Sequence, residues 1–287
     1  MKAGRDNGLP KKKSISIPKT DSGMNRLIEI VRNLRDPDNG CAWDLAQTNM
    51  SILPYTLEEA YEVVEAVENG NANEMTDELG DLLFQVIFHS QIAQDNGHFT
   101  FNDVINQICS KMIDRHPHIF SNQKEKKTIH QQEKDWETYK MKARKKNSGK
   151  KNISIFDGIS KSYPAITKAI KIQSRASRVG FDWKDKESVL MKVQEELTEL
   201  IGALARPKEP LPIQEEFGDL IFTIVNLGRH LKLDPESCLR LANQKFINRF
   251  QALELAARKS GQNIEDLSER KLDELWELNK AFERTEN

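Results

Sequence analysis

The sequence predicts an all-α protein made of two tandem helical repeats, each a small helical bundle. Two observations carry this. Apolar residues recur at helical spacing in segment after segment, each bounded by Gly, Asn, Asp or Pro, and no stretch shows the alternation of a strand. An acidic pattern also occurs twice: Glu58-Glu59-Ala60-Tyr61-Glu62 with Glu78-Leu79-Gly80-Asp81, then Glu195-Glu196-Leu197-Thr198-Glu199 with Glu216-Phe217-Gly218-Asp219. The offsets agree, 195 − 58 = 137 and 216 − 78 = 138, which marks a duplicated unit.

The elements follow in order. Leu27, Ile28, Ile30, Val31 and Leu34 form a helical stripe that stops at Asp36-Pro37-Asp38-Asn39-Gly40, and a loop through Cys41-Ala42-Trp43-Asp44 leads to Pro54. A helix over Thr56 to Glu68 closes at Asn69-Gly70. The next, from Asn73 to Gln94, carries Leu79, Leu82, Leu83, Val86 and Ile87 and stops at Asp95-Asn96-Gly97. A further helix turns Val104, Ile105, Ile108, Met112 and Ile113 inward and breaks at Pro117. The polar, Lys-rich stretch that follows holds Trp136 and Tyr139 on a short helix. The second half repeats the plan with helices over Pro164 to Val179, Lys186 to Ala205, Ile213 to Leu231 and, capped by Asp234-Pro235, on to Lys259. A last helix carries Leu267, Leu272, Leu275 and Trp276. The expected organisation is an extension over 1–20, a first repeat over 21–125, a polar linker with a short helix over 126–158, and a second repeat over 159–287.

Composition narrows the function. The 287 residues carry 43 basic and 44 acidic side chains, a net charge of −1, so no overall field favours a nucleic-acid polymer or a membrane. The basic runs Lys11 to Lys13 and Lys140 to Lys151 lack interleaved aromatics and read as solvated segments. Three separated cysteines, Cys41, Cys109 and Cys238, support neither a zinc ribbon nor a disulfide framework and suit a cytoplasmic protein. No apolar run approaches the roughly 20 residues of a membrane span.

The acids point to a metal. Glu59 with Glu62, and Glu78 with Asp81, share helix faces at three-residue spacing, as do Glu196 with Glu199 and Glu216 with Asp219. Two antiparallel helices then gather four oxygen donors, a set for Mg²⁺ with Mn²⁺ as a substitute. Gly80 and Gly218 leave room for a second helix or a ligand. Thr56 followed by Glu59 also fits a simple capping box, and an isolated acidic run in so charged a chain is usually a solvated face. The company of the acids favours a site. Each half adds a Lys-x-x-x-Arg, Lys111 with Arg115 and Lys245 with Arg249, and a Trp-x-x-x-Lys, Trp136 with Lys140 and Trp276 with Lys280. Acids for metal, bases for phosphate and an aromatic for stacking suit a nucleoside triphosphate. The Glu-x-x-His of a di-iron bundle and the glycine pattern of a P-loop are both missing.

These motifs resemble the MazG-type nucleoside triphosphate pyrophosphohydrolases, which are related to all-α dimeric dUTPases. Leu34-Arg35-Asp36-Pro37, Asn39-Gly40-Cys41-Ala42-Trp43-Asp44, Tyr55-Thr56-Leu57-Glu58-Glu59, Gly80-Asp81-Leu82-Leu83-Phe84-Gln85 and Arg115-His116-Pro117-His118 are similar to the N-terminal half of two-repeat MazG proteins. Val179-Gly180-Phe181-Asp182-Trp183 and Asn226-Leu227-Gly228-Arg229-His230 are similar to the C-terminal half. The resemblance spans about residues 24 to 284. It implies conversion of an NTP or dNTP plus water to the monophosphate and pyrophosphate with Mg²⁺, in a homodimer. It implies Glu196, Glu199, Glu216 and Asp219 as catalytic metal ligands, with Glu59, Glu62, Glu78 and Asp81 as their N-terminal counterparts. Glu195 or Glu58 would position water or take a second metal, and Lys192, Lys245, Arg249, Trp276, Lys280 and Lys140 would contact the nucleotide. It also implies that the C-terminal half does the work. The chain agrees at one position: Lys192 stands four residues before Glu196, whereas the aligned position 192 − 137 = 55 is the uncharged Tyr55.

Overall fold

The computed structural model describes residues 23–120, 154–205 and 210–286, together with 128, 131–132 and 138–139. It divides into two compact units, Met1–Tyr139 and Lys140–Asn287. The extension over 1–20, Trp136, Lys140, Pro207 and most of the expected linker lie outside the described residues. Among the described residues every regular element is a helix, so the fold is all-α.

The first unit comprises α1 (Met24–Leu34), α2 (Ala42–Ala46), α3 (Leu53–Glu68), α4 (Ala72–Asp95), α5 (Phe101–Arg115) and α6 (Pro117–Phe120). Helices α3 and α4 form a hairpin joined by Asn69-Gly70-Asn71. Gly70 takes the left-handed conformation the turn requires, with φ +68°, and Asn71 caps α4 by accepting from the N–H groups of Asn73 and Glu74. Helix α1 packs on α4. Between them Val31, Ile52, Ile87, Phe88 and Ile92 are buried, with Leu27, Leu83 and Phe84 at the edge. Each such side chain contributes about 1.5–3 kcal/mol by leaving water.

Local chemistry moves several boundaries from their expected places. The loop after α1 contains the short helix α2, because Arg35 collects it: Nη1 donates to the carbonyls of Asp44 and Gln47, and Nε to Asp95 Oδ2 at 2.7 Å. A guanidinium outside the helix thus satisfies the Gln47 carbonyl and adds a second donor at the Asp44 carbonyl, which also accepts from the Gln47 N–H. Helix α3 starts at Leu53 with Pro54 in its first turn. Thr56 is therefore not a cap; its hydroxyl donates to the Ile52 carbonyl and lies 2.9 Å from His89 Nε2. The inward face expected of α5 is not covered either. Thr100 and Asp103 form the capping box that starts it, yet none of its residues is buried, and Ile108 and Ile113 are 44% and 51% exposed. A single helix, α4, is its main neighbour, and one neighbour cannot enclose a full apolar stripe.

The second unit comprises α7 (Ala165–Ser177), α8 (Lys186–Leu204), α9 (Pro210–His230), α10 (Pro235–Lys259), a 3₁₀ turn over Ile264–Asp266, and α11 (Glu269–Glu286). Leu267 ends the 3₁₀ turn instead of belonging to α11. Asp185 caps α8 through Ser188 N at 2.8 Å, and Asp234 caps α10 as its Asp-Pro pair predicts. Helix α9 packs chiefly on α8, with α7 alongside. Val189, Leu200, Val225, Leu253 and Ala257 are buried, and so are the polar Gln173, Thr223 and Asn226. Gln173 Nε2 donates to the Phe222 carbonyl at 2.7 Å and ties α7 to α9.

Candidate functional site

In both units the hairpin that carries the acids brings them together. Glu59 and Glu62 stand on α3 and Glu78 and Asp81 on α4; Glu196 and Glu199 stand on α8 and Glu216 and Asp219 on α9. One carboxylate oxygen each from Glu59, Glu78 and Asp81 lies within 4.8 Å of the other two, and the same holds for Glu196, Glu216 and Asp219. Glu62 and Glu199 are exposed and stand beside these trios rather than within them. They still act on the cluster: Glu199 is the like charge that raises Glu216 most, and Glu62 both repels Glu78 and shares a hydrogen bond with it.

The electrostatics follow from crowding. Desolvation, and then the charges of Glu199, Glu196 and Asp219, push the Glu216 carboxyl above its ordinary value. Desolvation, and then Asp81 and Glu62, do the same to Glu59, against a hydrogen bond from Gln85 that lowers it; Glu78 is raised likewise, by desolvation and then Glu62. Every donor is a carboxylate oxygen, and the like charges destabilise one another, so both trios fit a hard divalent cation and neither offers the nitrogen or sulfur a softer metal prefers.

The two trios differ in how their buried acid is held. Glu196 is 6% exposed and pairs with Lys192, Nζ to Oε1 at 2.9 Å, while the same ammonium donates to Glu195 Oε1 at 2.6 Å. Those two hydrogen bonds hold the Lys192 ammonium well above its ordinary range. In the first unit Tyr55 stands in that place with its ring edge-on to Trp43, centroids 5.9 Å apart. There Glu59 is held by the neutral amide of Gln85, which is 7% exposed and whose Oε1 is buried without a partner. A Cβ on Gly80 or Gly218 would meet nothing within 4 Å. The room those glycines leave is therefore not filled by another part of the described chain.

The expected nucleotide contacts fall on another helix pair. Helices α10 and α11 pack together, and the Arg249 guanidinium lies over the Trp276 ring, 6.0 Å from its centroid. Phe246 adds a third member, its ring 5.1 Å from that of Trp276. Phe246 was not singled out by the sequence pattern, although it lies three residues before Arg249 on the same face. Lys280 pairs with Glu277 at 2.6 Å, and Lys245 is exposed. Lys140 lies outside the described residues.

A polar cluster that spacing alone did not assign anchors the loop before α8. Asp182 Oδ1 accepts from Arg229 Nη2 and lies 3.0 Å from His230 Nε2, and Arg229 also donates to the buried Asn226 Oδ1 at 2.7 Å and 3.0 Å. Burial raises the Asp182 carboxyl, but the bonds from Arg229 and His230 outweigh it and hold the group below its ordinary range. Asp182 thereby ties the loop that leads into α8 to the C-terminal end of α9, the helix that carries Glu216 and Asp219.

The chain is similar to known proteins over most of its length. Residues 47–120 match the MazG nucleotide pyrophosphohydrolase domain. The chain is 46% identical over 262 residues to the nucleoside triphosphate pyrophosphohydrolase/pyrophosphatase MazG of Thermotoga maritima, covering 91% of this chain and 97% of that one. It is 40% identical over 261 residues to the nucleoside triphosphate pyrophosphohydrolase of Escherichia coli K12, covering 91% and 98%. A crystal structure of a mazG-related protein from Thermotoga maritima matches 41% of the chain and 99% of its own length at 28% identity, with a TM-score of 0.36. With two relatives matched over nearly their whole length at 40% identity or more, the chain belongs to the MazG family of nucleoside triphosphate pyrophosphohydrolases.

Proposed function

We propose that the protein hydrolyses an NTP or dNTP to the monophosphate and pyrophosphate with Mg²⁺, Mn²⁺ serving as a substitute, and that the C-terminal repeat is the main catalytic site. The observation that carries this reading is the meeting of Glu196, Glu216 and Asp219 within 4.8 Å, beside the only ammonium that pairs with either trio among the described residues, Lys192. In this reading Glu196, Glu199, Glu216 and Asp219 hold the ion, and Glu59, Glu62, Glu78 and Asp81 hold one in the first repeat. Mg²⁺ held by these acids would supply charge neutralisation at the phosphates and activation of water. Glu195, which shares Lys192 with Glu196, positions water for in-line attack at the α-phosphorus or takes a second metal. Lys192, Lys245, Arg249 and Lys280 meet the phosphates and stabilise the departing pyrophosphate, with Lys140 from the segment between the repeats, and Trp276 stacks on the base. Domain limits of 21–125 and 159–287, joined by a polar linker over 126–158, belong to the same reading, as does a cytoplasmic location.

The cleavage point is tested by ion-pair chromatography of the products. Monophosphate and pyrophosphate should dominate; diphosphate with orthophosphate as the main products would overturn the assignment.

The same reading makes the protein a homodimer. The uncovered face of α5 favours it, as do Leu57 at 59% and Tyr61 at 55% exposure on α3, because large apolar side chains exposed at helical spacing call for a covering surface. Light scattering at micromolar concentration should give a mass well above the 33.0 kDa of one chain, and a monomer there would contradict the proposal.

A further inference from the structure

The two acid trios differ in their immediate partners, and the difference bears on when each takes its ion. In the C-terminal trio the acid pointing inward is already neutralised. The Lys192 ammonium sits 2.9 Å from Glu196 and 2.6 Å from Glu195, and both contacts stay within α8, at i+4 and i+3. An incoming cation must displace that ammonium or share the site with it, and like charges at this range repel strongly. In the N-terminal trio no ion pair reaches Glu59, Glu62, Glu78 or Asp81 among the described residues. The groups acting on Glu59 are Asp81, Glu62, Gln85 and Glu78, three acids and one neutral amide.

Gln85 is a second, independent pointer to a ligand there. It is one of the few polar side chains more than nine-tenths buried, and it reaches Glu59 from α4 across the hairpin. Its orientation is fixed, since only the NH₂ end can face a carboxylate, and this leaves Oε1 as a buried acceptor without a donor. The orphaned oxygen costs stability, and the bond from Gln85 leaves Glu59 with an oxygen within 4.8 Å of oxygens of Glu78 and Asp81. A neutral donor behind a carboxylate ligand is how metal sites orient a ligand without cancelling its charge.

Building on the metal reading above, we propose that the N-terminal trio, with Glu59 held by Gln85, takes a divalent cation by itself, whereas the C-terminal trio takes one only together with a polyphosphate, whose negative charge draws Lys192 off Glu196. The first repeat is then loaded before substrate arrives, and the second is loaded by the metal–nucleotide complex. Lys192 serves as a gate on ion entry as well as a phosphate contact.

Mn²⁺ binding to the full chain tests this, with free Mn²⁺ followed by its electron paramagnetic resonance signal and no turnover involved. Without nucleotide, one tight Mn²⁺ per chain is expected. Glu78→Gln with Asp81→Asn should abolish it, Gln85→Leu should weaken it about 10- to 100-fold, and Glu216→Gln with Asp219→Asn should leave it intact. Lys192→Met should expose a second tight site, a gain on the order of tenfold or more in affinity. An α,β-methylene triphosphate analogue should add the second Mn²⁺ to the unsubstituted protein. A tight site that disappears with the C-terminal pair overturns the proposal, and so does a second site that stays weak in Lys192→Met. Mn²⁺ bound only with the analogue, at the C-terminal trio, also overturns it but leaves the proposed function standing. No Mn²⁺ with or without the analogue overturns both.

Discussion

Glu196→Gln and Asp219→Asn should each lower pyrophosphate release by about a hundredfold or more, because each removes one charged oxygen from the C-terminal trio while keeping its shape. Glu196 is the buried member, so its substitution also removes one of the two carboxylates that pair with Lys192 and leaves Glu195, outside the trio, as the other. The paired control is Glu59→Gln and Asp81→Asn, which should change activity far less. That unit offers Tyr55 packed on Trp43 where the other offers Lys192, and among the described residues no ion pair reaches its acid trio. All four variants assayed at saturating Mg²⁺ make the comparison. Equal losses from both pairs would mean two working sites, and a larger loss from the N-terminal pair would reverse the assignment.

Arg35→Met should destabilise the first unit by about 2–4 kcal/mol. The guanidinium is 7% exposed. It pairs with Asp95 at 2.7 Å, donates to two carbonyls at the end of α2, and lies over the Phe88 ring at 5.6 Å. Methionine fills part of the volume but takes away the Arg35 donor to the Gln47 carbonyl and leaves the Asp44 carbonyl with the Gln47 N–H alone. Asp95 is 34% exposed and recovers water, which keeps the loss below that of a fully buried pair. Hydrogen exchange resolves the effect by region: protection should fall first in α2 and at the end of α4, then across the α1–α4 core. A loss under about 1 kcal/mol in denaturant unfolding would show that the clamp is ornamental.

How far the sequence reaches depends on whether an interaction is local. The helices carrying the acids were legible because their apolar spacing and their Gly, Asn and Pro stops are written within a few residues. The pairing of Glu59 with Glu78 and Asp81 was legible for the same reason, since a short turn leaves a hairpin little freedom. The Lys192 position could be read by comparing repeats, but its bonds to Glu195 and Glu196 could not, because a lysine at that spacing can equally turn to solvent. Helix α2 was missed: its stability comes from Arg35, outside its own five residues. The same holds for Asp182 with Arg229, 47 residues apart, and for Gln85, whose orphaned oxygen has no signature in composition. The inward face expected of α5 failed for a different reason. Amphipathic spacing tells that a stripe must be covered, not that the cover lies in the same chain.

The hairpin geometry has a consequence for the order of assembly. From Glu59 to Asp81 is 81 − 59 = 22 residues, and from Glu196 to Asp219 is 219 − 196 = 23. Closing so short a segment costs little chain entropy, and contacts this local form early in folding. Each acid trio is therefore complete once a single hairpin has closed, without waiting for α1, α5, α10 or α11 to dock. During synthesis the chain emerges from its N-terminus, so the first set of carboxylates can come together while the second is still untranslated, and a cation captured there would stabilise the nascent hairpin by mass action.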